Sequence, residues 1–309
     1  MKPSNNIKDI PLQAIPADSI RSTLIGMLKL LLELNKVKIT FAVMLTTMVG
    51  YLLAGHTFDA GIILPTLGIF ILACGSSAFN HFQDRDRDAL MERTKNRPIP
   101  SGRINNTGVL FIAVAEIVAG TFLIYIGSNF LAAQLGLLAL IWYNGIYTPL
   151  KRRTAFAVIP GSIIGSLPPM VGWVAGGGSL TDPRLFLLAF FFFIWQVPHF
   201  WLLMLKYGQE YIKAGYPSIT SMIGKEQIKR ATFMWTAATA VAAIMVALSG
   251  LISLLVFKII IVVAAIWLII VFSRLLGPGT GNFKPMFYFM RINYFVLVMI
   301  VVMSIDPLI

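Results

Sequence analysis

Asn80, Asp84 and Asp88 recur every four residues at the end of a long apolar run. On a helix that continues past the membrane edge, residues four apart fall on one face. One amide and two carboxylates would then point the same way. Aligned carboxylates repel one another unless a cation lies among them. Oxygen ligands of this kind, completed by substrate phosphates, are what Mg²⁺ takes. The same stretch carries Arg85, Arg87, Arg93, Lys95 and Arg97, which suit a polyanion that the metal does not fully neutralise. Together these types and spacings point to binding and release of a diphosphate. The competing reading is a solvated, salt-bridged loop that only sets topology. It accounts for the arginines but not for acidic residues in register, because acidic residues contribute little to topology.

The elements that must hold these residues are membrane helices. The 309-residue chain is 57% apolar and only 12% charged, with a mean hydropathy of +0.80. Soluble domains carry roughly 25% charged residues, so a water-soluble fold, a disordered chain and a disulfide scaffold are excluded. The single cysteine, Cys74, lies inside an apolar run. Stretches long enough to cross a bilayer fall at 37–54, 61–80, 108–127, 130–149, 156–176, 185–205, 231–249, 251–273 and 286–304. This predicts an all-α polytopic membrane protein of nine transmembrane helices bundled around a central apolar cavity. The division at Ser249-Gly250 is the least marked. Residues 1–35 form an N-terminal arm and an interfacial lead-in, and 36–305 form a single intramembrane domain.

Charge orients the bundle. The formal net charge is +12, yet the basic residues lie in short loops between apolar runs, which argues against nucleic acid as a partner. Every lysine and arginine except Arg184, Lys258 and Arg291 falls on one side of the predicted bilayer. By the positive-inside rule that side is cytoplasmic. The N-terminus is then cytoplasmic and the C-terminus lies outside a bacterial-type plasma (inner) membrane. Two long cytoplasmic loops, 81–107 and 206–230, follow even-numbered spans, are expected to cap the site, and hint at a parallel repeat of four helices plus one.

Longer motifs carry a resemblance. Asn80-x-x-x-Asp84-Arg85-Asp86-x-Asp88-x-x-Met91-x-Arg93-Thr94-x-x-Arg97-Pro98 resembles the first aspartate-rich motif of the UbiA-type intramembrane prenyltransferases. Tyr147 to Thr154, Leu167-Pro168-Pro169-x-x-Gly172-Trp173 and Trp195-Gln196-x-Pro198-His199-Phe200-Trp201 are similar to the branch that farnesylates haem. Glu210-Tyr211-x-x-Ala214-Gly215-x-Pro217 resembles its second loop motif. Three departures stand out. Glu210 replaces an aspartate, Ala157 an asparagine, and Ser218-Ile219-Thr220 a more apolar stretch.

The resemblance implies transfer of farnesyl from farnesyl diphosphate to a vinyl group of haem b, with water added, in the lipid bilayer. Haem b is then a substrate and Mg²⁺ the cofactor. Asn80, Asp84 and Asp88 would hold the metal and serve catalysis, with Arg85, Arg93, Arg97, Lys151, Arg152 and Lys206 as diphosphate contacts. Glu210 and Tyr211 belong to the second loop. Haem A synthase or oxidase assembly factors are implied partners. His199 suits an axial iron ligand, with Trp201 beside it, or a helix-end histidine bonded to a carbonyl freed by Pro198. His81 reads as supporting Asn80 or merely interfacial, and His56 as uninvolved. Glu116 and Arg291 are costly in hydrocarbon, so each is either functional or locally satisfied. The glycines at 75, 161, 165 and 172 permit close helix packing or a cavity wall.

Two other readings bear on function. A prenyltransferase acting on an aromatic quinone precursor would share the first motif, but not the Pro-His-Phe-Trp block. A secondary transporter would explain Pro168-Pro169 in mid-span, but not charges gathered at one membrane face.

Overall fold

The computed structural model describes residues 17–55, 58–277 and 284–309. His56 and the arm before residue 17 lie outside them. Among the described residues nine helices are long and apolar enough to cross a membrane, and the chain is an integral, multi-pass membrane protein. A further helix precedes them, α1 (Ala17–Leu34), with Ile25, Met27, Leu28 and Leu32 exposed. The spans are α2 (Val37–Gly55), α3 (Ile63–Asp88), α4 (Asn106–Gly127), α5 (Phe130–Leu140) with its extension, α6 (Ile163–Ala175), α7 (Pro183–Lys213), α8 (Lys225–Leu248), α9 (Leu255–Ser273) and α10 (Pro285–Ile305).

Exposed leucine, isoleucine and phenylalanine side chains run down α4 and α9, as lipid-facing helices require, while α3, α6 and α7 are the most enclosed. The largest apolar core joins α7 to α10 through Phe191, Phe192, Phe272 and Phe295, with Trp173 of α6. A second core, with Ile69, Leu72, Ala133 and Val171, ties α3 to α5 and α6. Helix contacts within lipid depend on close approach rather than on exclusion of water. At Gly172 a Cβ would stand 1.8 Å from the Thr47 carbonyl, and at Gly75 2.8 Å from the Ala113 carbonyl. These glycines serve packing.

Three departures from the predicted boundaries bear on the site. Helix α3 does continue past the apolar run to Asp88. Helix α7 runs to Lys213, eight residues beyond the expected end, because no proline falls between Lys206 and Lys213 and the one glycine there, Gly208, is buried within the helix. Gly215, with φ of 73°, ends it instead. The third is a π-helical segment, Ile141–Tyr147, that widens the end of span four before Thr148–Leu150. At the predicted break α8 stops at Leu248, Gly250 takes φ of 86°, and the Asp306 carboxylate receives the Ser253 and Leu254 N–H groups at 2.7 and 2.9 Å.

Candidate active site

The helical spacing of α3 does what its sequence predicts: Asn80, Asp84 and Asp88 share one buried face, 3%, 4% and 2% exposed. Asn80 Nδ2 donates to Asp84 Oδ2 and to Thr148 Oγ1, both at 3.1 Å. Charges are not left alone at this depth. Lys151 donates to Asp84 Oδ2, while Arg152 at 3.2 Å and the Tyr216 hydroxyl at 3.1 Å donate to Oδ1. Arg97 Nη1 donates to both Asp88 oxygens at 2.9 and 2.7 Å.

The wide π turn brings the end of span four against this face. Asn144 Nδ2 donates to the Ser76 carbonyl at 3.1 Å and to Gln83 Oε1 at 3.0 Å, and Gln83 Nε2 donates back to the Asn144 carbonyl at 2.8 Å. The Tyr143 hydroxyl donates to Asn80 Oδ1 at 3.2 Å. Wide turns of this kind gather at functional sites.

The corner between α1 and α2 supplies a further cation. Lys36 has φ of 45°, a left-handed conformation that costs a non-glycine residue on the order of 1–3 kcal/mol. Its Nζ donates to Asn80 Oδ1 at 3.2 Å. Burial, aided by Arg97 and Lys151, lowers its ammonium to about 7. Burial likewise lowers the Lys151 ammonium, against the pull of Asp84, and raises the Tyr216 phenol, with Asp84 adding to the rise.

The remaining loop cations divide. Arg93 and Lys206 flank the Tyr207 ring at 5.2 and 4.8 Å, and the Arg93 N–H donates to Glu210 Oε2 at 3.3 Å. The Tyr211 ring lies tilted against Tyr216 at 5.5 Å, and Met91 packs with Ala214 and Tyr216. Arg93, Lys206, Glu210 and Tyr211 join the two loops at the rim, and of this group's partners Tyr216 is the one that reaches Asp84. Arg85 does not reach the cluster. It bonds the Phe82 carbonyl at 2.7 Å, pairs with Asp86 at 3.6 Å and lines a separate cleft of about 410 Å³ with Ile99 and Pro100. Its place in sequence, one residue past Asp84, turns it about 100° off the aspartate face.

His199 lies on α7 beyond the cluster. The Tyr147 ring is 6.4 Å from Phe200, and Phe200 is 5.5 Å from His199. Trp195 and Phe289 complete an aromatic enclosure at 5.0 and 4.6 Å. The bond to a carbonyl freed by Pro198 is not formed; His199 Nδ1 instead meets Asn293 Oδ1 at 3.0 Å. Trp201 is not part of this enclosure. Two residues on, it faces the other side of α7 and packs edge-on against Trp235 at 6.1 Å. His81, 1% exposed, has no hydrogen-bond partner for either ring nitrogen among the described residues. Glu116 Oε1 accepts from Asn35 Nδ2 at 2.7 Å while its buried Oε2 has no partner among the described residues, and the Arg291 guanidinium covers the Phe287 ring at 3.8 Å.

The donor set fits Mg²⁺. It is all oxygen, two buried carboxylates and an amide. Mg²⁺ is commonly held this way, with substrate phosphates and water completing the shell.

Residues 43–293 match the UbiA prenyltransferase family, and the chain belongs to that family: it is a prenyltransferase of the intramembrane type. Among its relatives, the protoheme IX farnesyltransferase of Oleidesulfovibrio alaskensis is 38% identical over 191 residues, covering 62% of this chain and 68% of the relative. The protein of the same name from Geobacter sulfurreducens is 38% identical over 202 residues, covering 65% and 74%. The fold is similar to that of an Archaeoglobus fulgidus UbiA homologue bound to GPP and Mg²⁺, with a TM-score of 0.68 at 15% identity over 90% of this chain and 99% of that one. It is also similar to a digeranylgeranylglyceryl phosphate synthase, with a TM-score of 0.74 at 15% identity over 91% and 98%.

Proposed function

We propose that this chain transfers the farnesyl group of farnesyl diphosphate to a vinyl group of haem b, with addition of water, to give haem O. The observation that carries the reading is the adjacency of two unlike sites. A buried aspartate cluster ringed by cations stands two aromatic rings from an enclosed histidine. The names of the relatives support the same donor and acceptor.

The allylic C–O bond of the donor breaks and the electron pair leaves with diphosphate. The farnesyl carbon joins the outer vinyl carbon. The cation left on the inner vinyl carbon takes a water oxygen, and that water loses a proton. Asn80, Asp84 and Asp88 are the residues to hold Mg²⁺, which when bound neutralises charge on the departing diphosphate. Lys151, Arg152, Arg97 and Lys36 carry donors that phosphate oxygens take over from the carboxylates and amide they now contact. Tyr143, Tyr147 and Phe200 line the way between the two ends and exclude water from the cation. His199 holds the acceptor iron.

The basic face is cytoplasmic, in a bacterial plasma membrane, with the C-terminus outside. Residues 36–305 act as one domain, capped by the loops 81–107 and 206–230. The product passes to haem A synthase or to oxidase assembly factors. A reporter fused after Ile309 should behave as periplasmic and one fused near Asn106 as cytoplasmic. The function is tested by extracting haem from cells that lack haem O synthase and express this chain. A farnesylated hydroxyethyl haem is expected. Unchanged haem b beside a prenylated aromatic acid would replace the haem acceptor with a quinone precursor.

A further inference from the structure

The Asn293 amide has one orientation that its surroundings allow. Its Nδ2 donates to the Phe289 carbonyl at 2.6 Å, one turn back on α10. Turning the amide over would set Oδ1 against that carbonyl, two acceptors with no hydrogen between them. Oδ1 therefore faces His199 Nδ1, at 3.0 Å. An amide oxygen only accepts, so the hydrogen in this contact belongs to the imidazole, on Nδ1. A neutral imidazole with its proton on Nδ1 carries its lone pair on Nε2.

From this chain of donors and acceptors we infer that Asn293 is a positioning residue for the acceptor. It fixes the tautomer and the ring angle of His199, so that Nε2 is the atom that binds the haem iron. The inference rests on the proposed haem acceptor and deepens it. Histidines that ligate metals commonly donate their second ring N–H to a carbonyl or carboxylate, which orients the ring and raises its basicity. Here the acceptor is a side chain from another span, ninety-four positions along the chain. The enclosure by Trp195, Phe200 and Phe289 restricts the ring further. The phenyl ring of Phe289 and the carbonyl that aims Asn293 belong to one residue, so α10 sets both the angle and the proton of His199.

The test uses the full-length protein in detergent, loaded with ferrous haem b and read by resonance Raman at the iron–histidine stretch. Asn293→Asp places a full charge on the acceptor and should raise that frequency above the wild type. Asn293→Leu removes the acceptor, and should lower the frequency and weaken haem binding on the order of 10–100-fold. A role in packing alone predicts no such opposed shifts. His199→Ala should abolish the band. If it does while both Asn293 variants keep the wild-type frequency, His199 is the ligand and the positioning role is overturned. If His199→Ala retains the band, the ligand assignment itself fails, and the role of Asn293 with it.

Discussion

The two ends of the proposed reaction are held by different physics. At the aspartate end, charge is balanced by charge: Asp84 is held by Lys151, Arg152 and Tyr216, and Asp88 by Arg97. At the histidine end the imidazole meets an amide and three aromatic rings, all without formal charge. A departing diphosphate concentrates negative charge, whereas a porphyrin presents a broad apolar face. An electrostatic cradle with many donors tolerates exchange of partners as a substrate arrives. A single directional contact to one imidazole does not. The first end should be sensitive to charge, and the second to shape and hydrogen-bond direction.

The largest effect should come from removing charge at the first end. Asp84→Asn keeps the shape but leaves Lys151 and Arg152 without their carboxylate. Loss of transition-state stabilisation on the scale of one oxyanion-hole donor lowers turnover by about 10²–10³. At least that loss of haem O formation is expected, with folded protein still in the membrane, and Asp88→Asn should behave alike. The Asp86 side chain is 82% exposed, so Asp86→Asn should cost far less. Normal haem O synthesis by both Asp84→Asn and Asp88→Asn would falsify the metal assignment.

Next in size is the second end. His199→Ala should lower haem retention by at least the roughly 10–100-fold typical of losing a partner behind a metal ligand. Farnesyl diphosphate affinity should be untouched. A purified variant with wild-type haem content and Soret spectrum would erase the division between the two ends.

A smaller, pH-dependent effect is expected at Lys36. Its depressed ammonium, near 7, is charged below that pH and neutral above it. Rising pH through 7 should therefore weaken inorganic diphosphate binding without metal. A charged hydrogen bond of about 1.5 kcal/mol corresponds to roughly tenfold. Calorimetric titrations at pH 6 and 8, compared with Lys36→Met, separate this change from protonation of diphosphate itself. The same pH slope in both proteins would remove Lys36 from the anion site. The sign for stability follows from the same shift. A lysine lowered in the fold is less costly once neutral, so its contribution to stability rises with pH between about 7 and its ordinary value near 10.5. The smallest change is expected at Arg85, whose 3.6 Å pair with the exposed Asp86 contributes at most about 1 kcal/mol. Arg85→Gln should leave haem O formation within about twofold of wild type; a loss as large as that of Arg97→Gln would place Arg85 in the cradle after all.

The aspartate end was legible in the sequence because its information is periodic: residues four apart on a continuing helix meet whatever the rest of the fold does. The span count was legible for the same reason, since hydrophobic length is a local property. Density of charge carries no direction, and the Arg85 side chain turns to Phe82 and Asp86; nearness along the chain is not nearness in space, and Trp201 packs on Trp235 rather than beside His199. Lys36 counted only as a topological charge, because Lys29, Glu33 and Lys38 stand around it and no spacing sets it apart from them. Tyr216 and Asn293 reach their partners from 132 and 94 positions away. No spacing encodes that distance. Nor does any residue type announce the wide turn at Ile141–Tyr147.

That wide turn has a consequence for chain length. A π-helical turn is in effect one surplus residue absorbed inside an otherwise α-helical span. A homologue one residue shorter between Ile141 and Tyr147 would close to ordinary helical pitch, and the flanking segments would stay in phase. Lys151 and Arg152 would keep their heading, while the Asn144 carbonyl would lose its freedom to accept from Gln83. Single-residue gaps in this family can therefore accumulate here without turning the cationic side of the cradle away, whereas a gap at any other point of the same span would rotate it by about 100°.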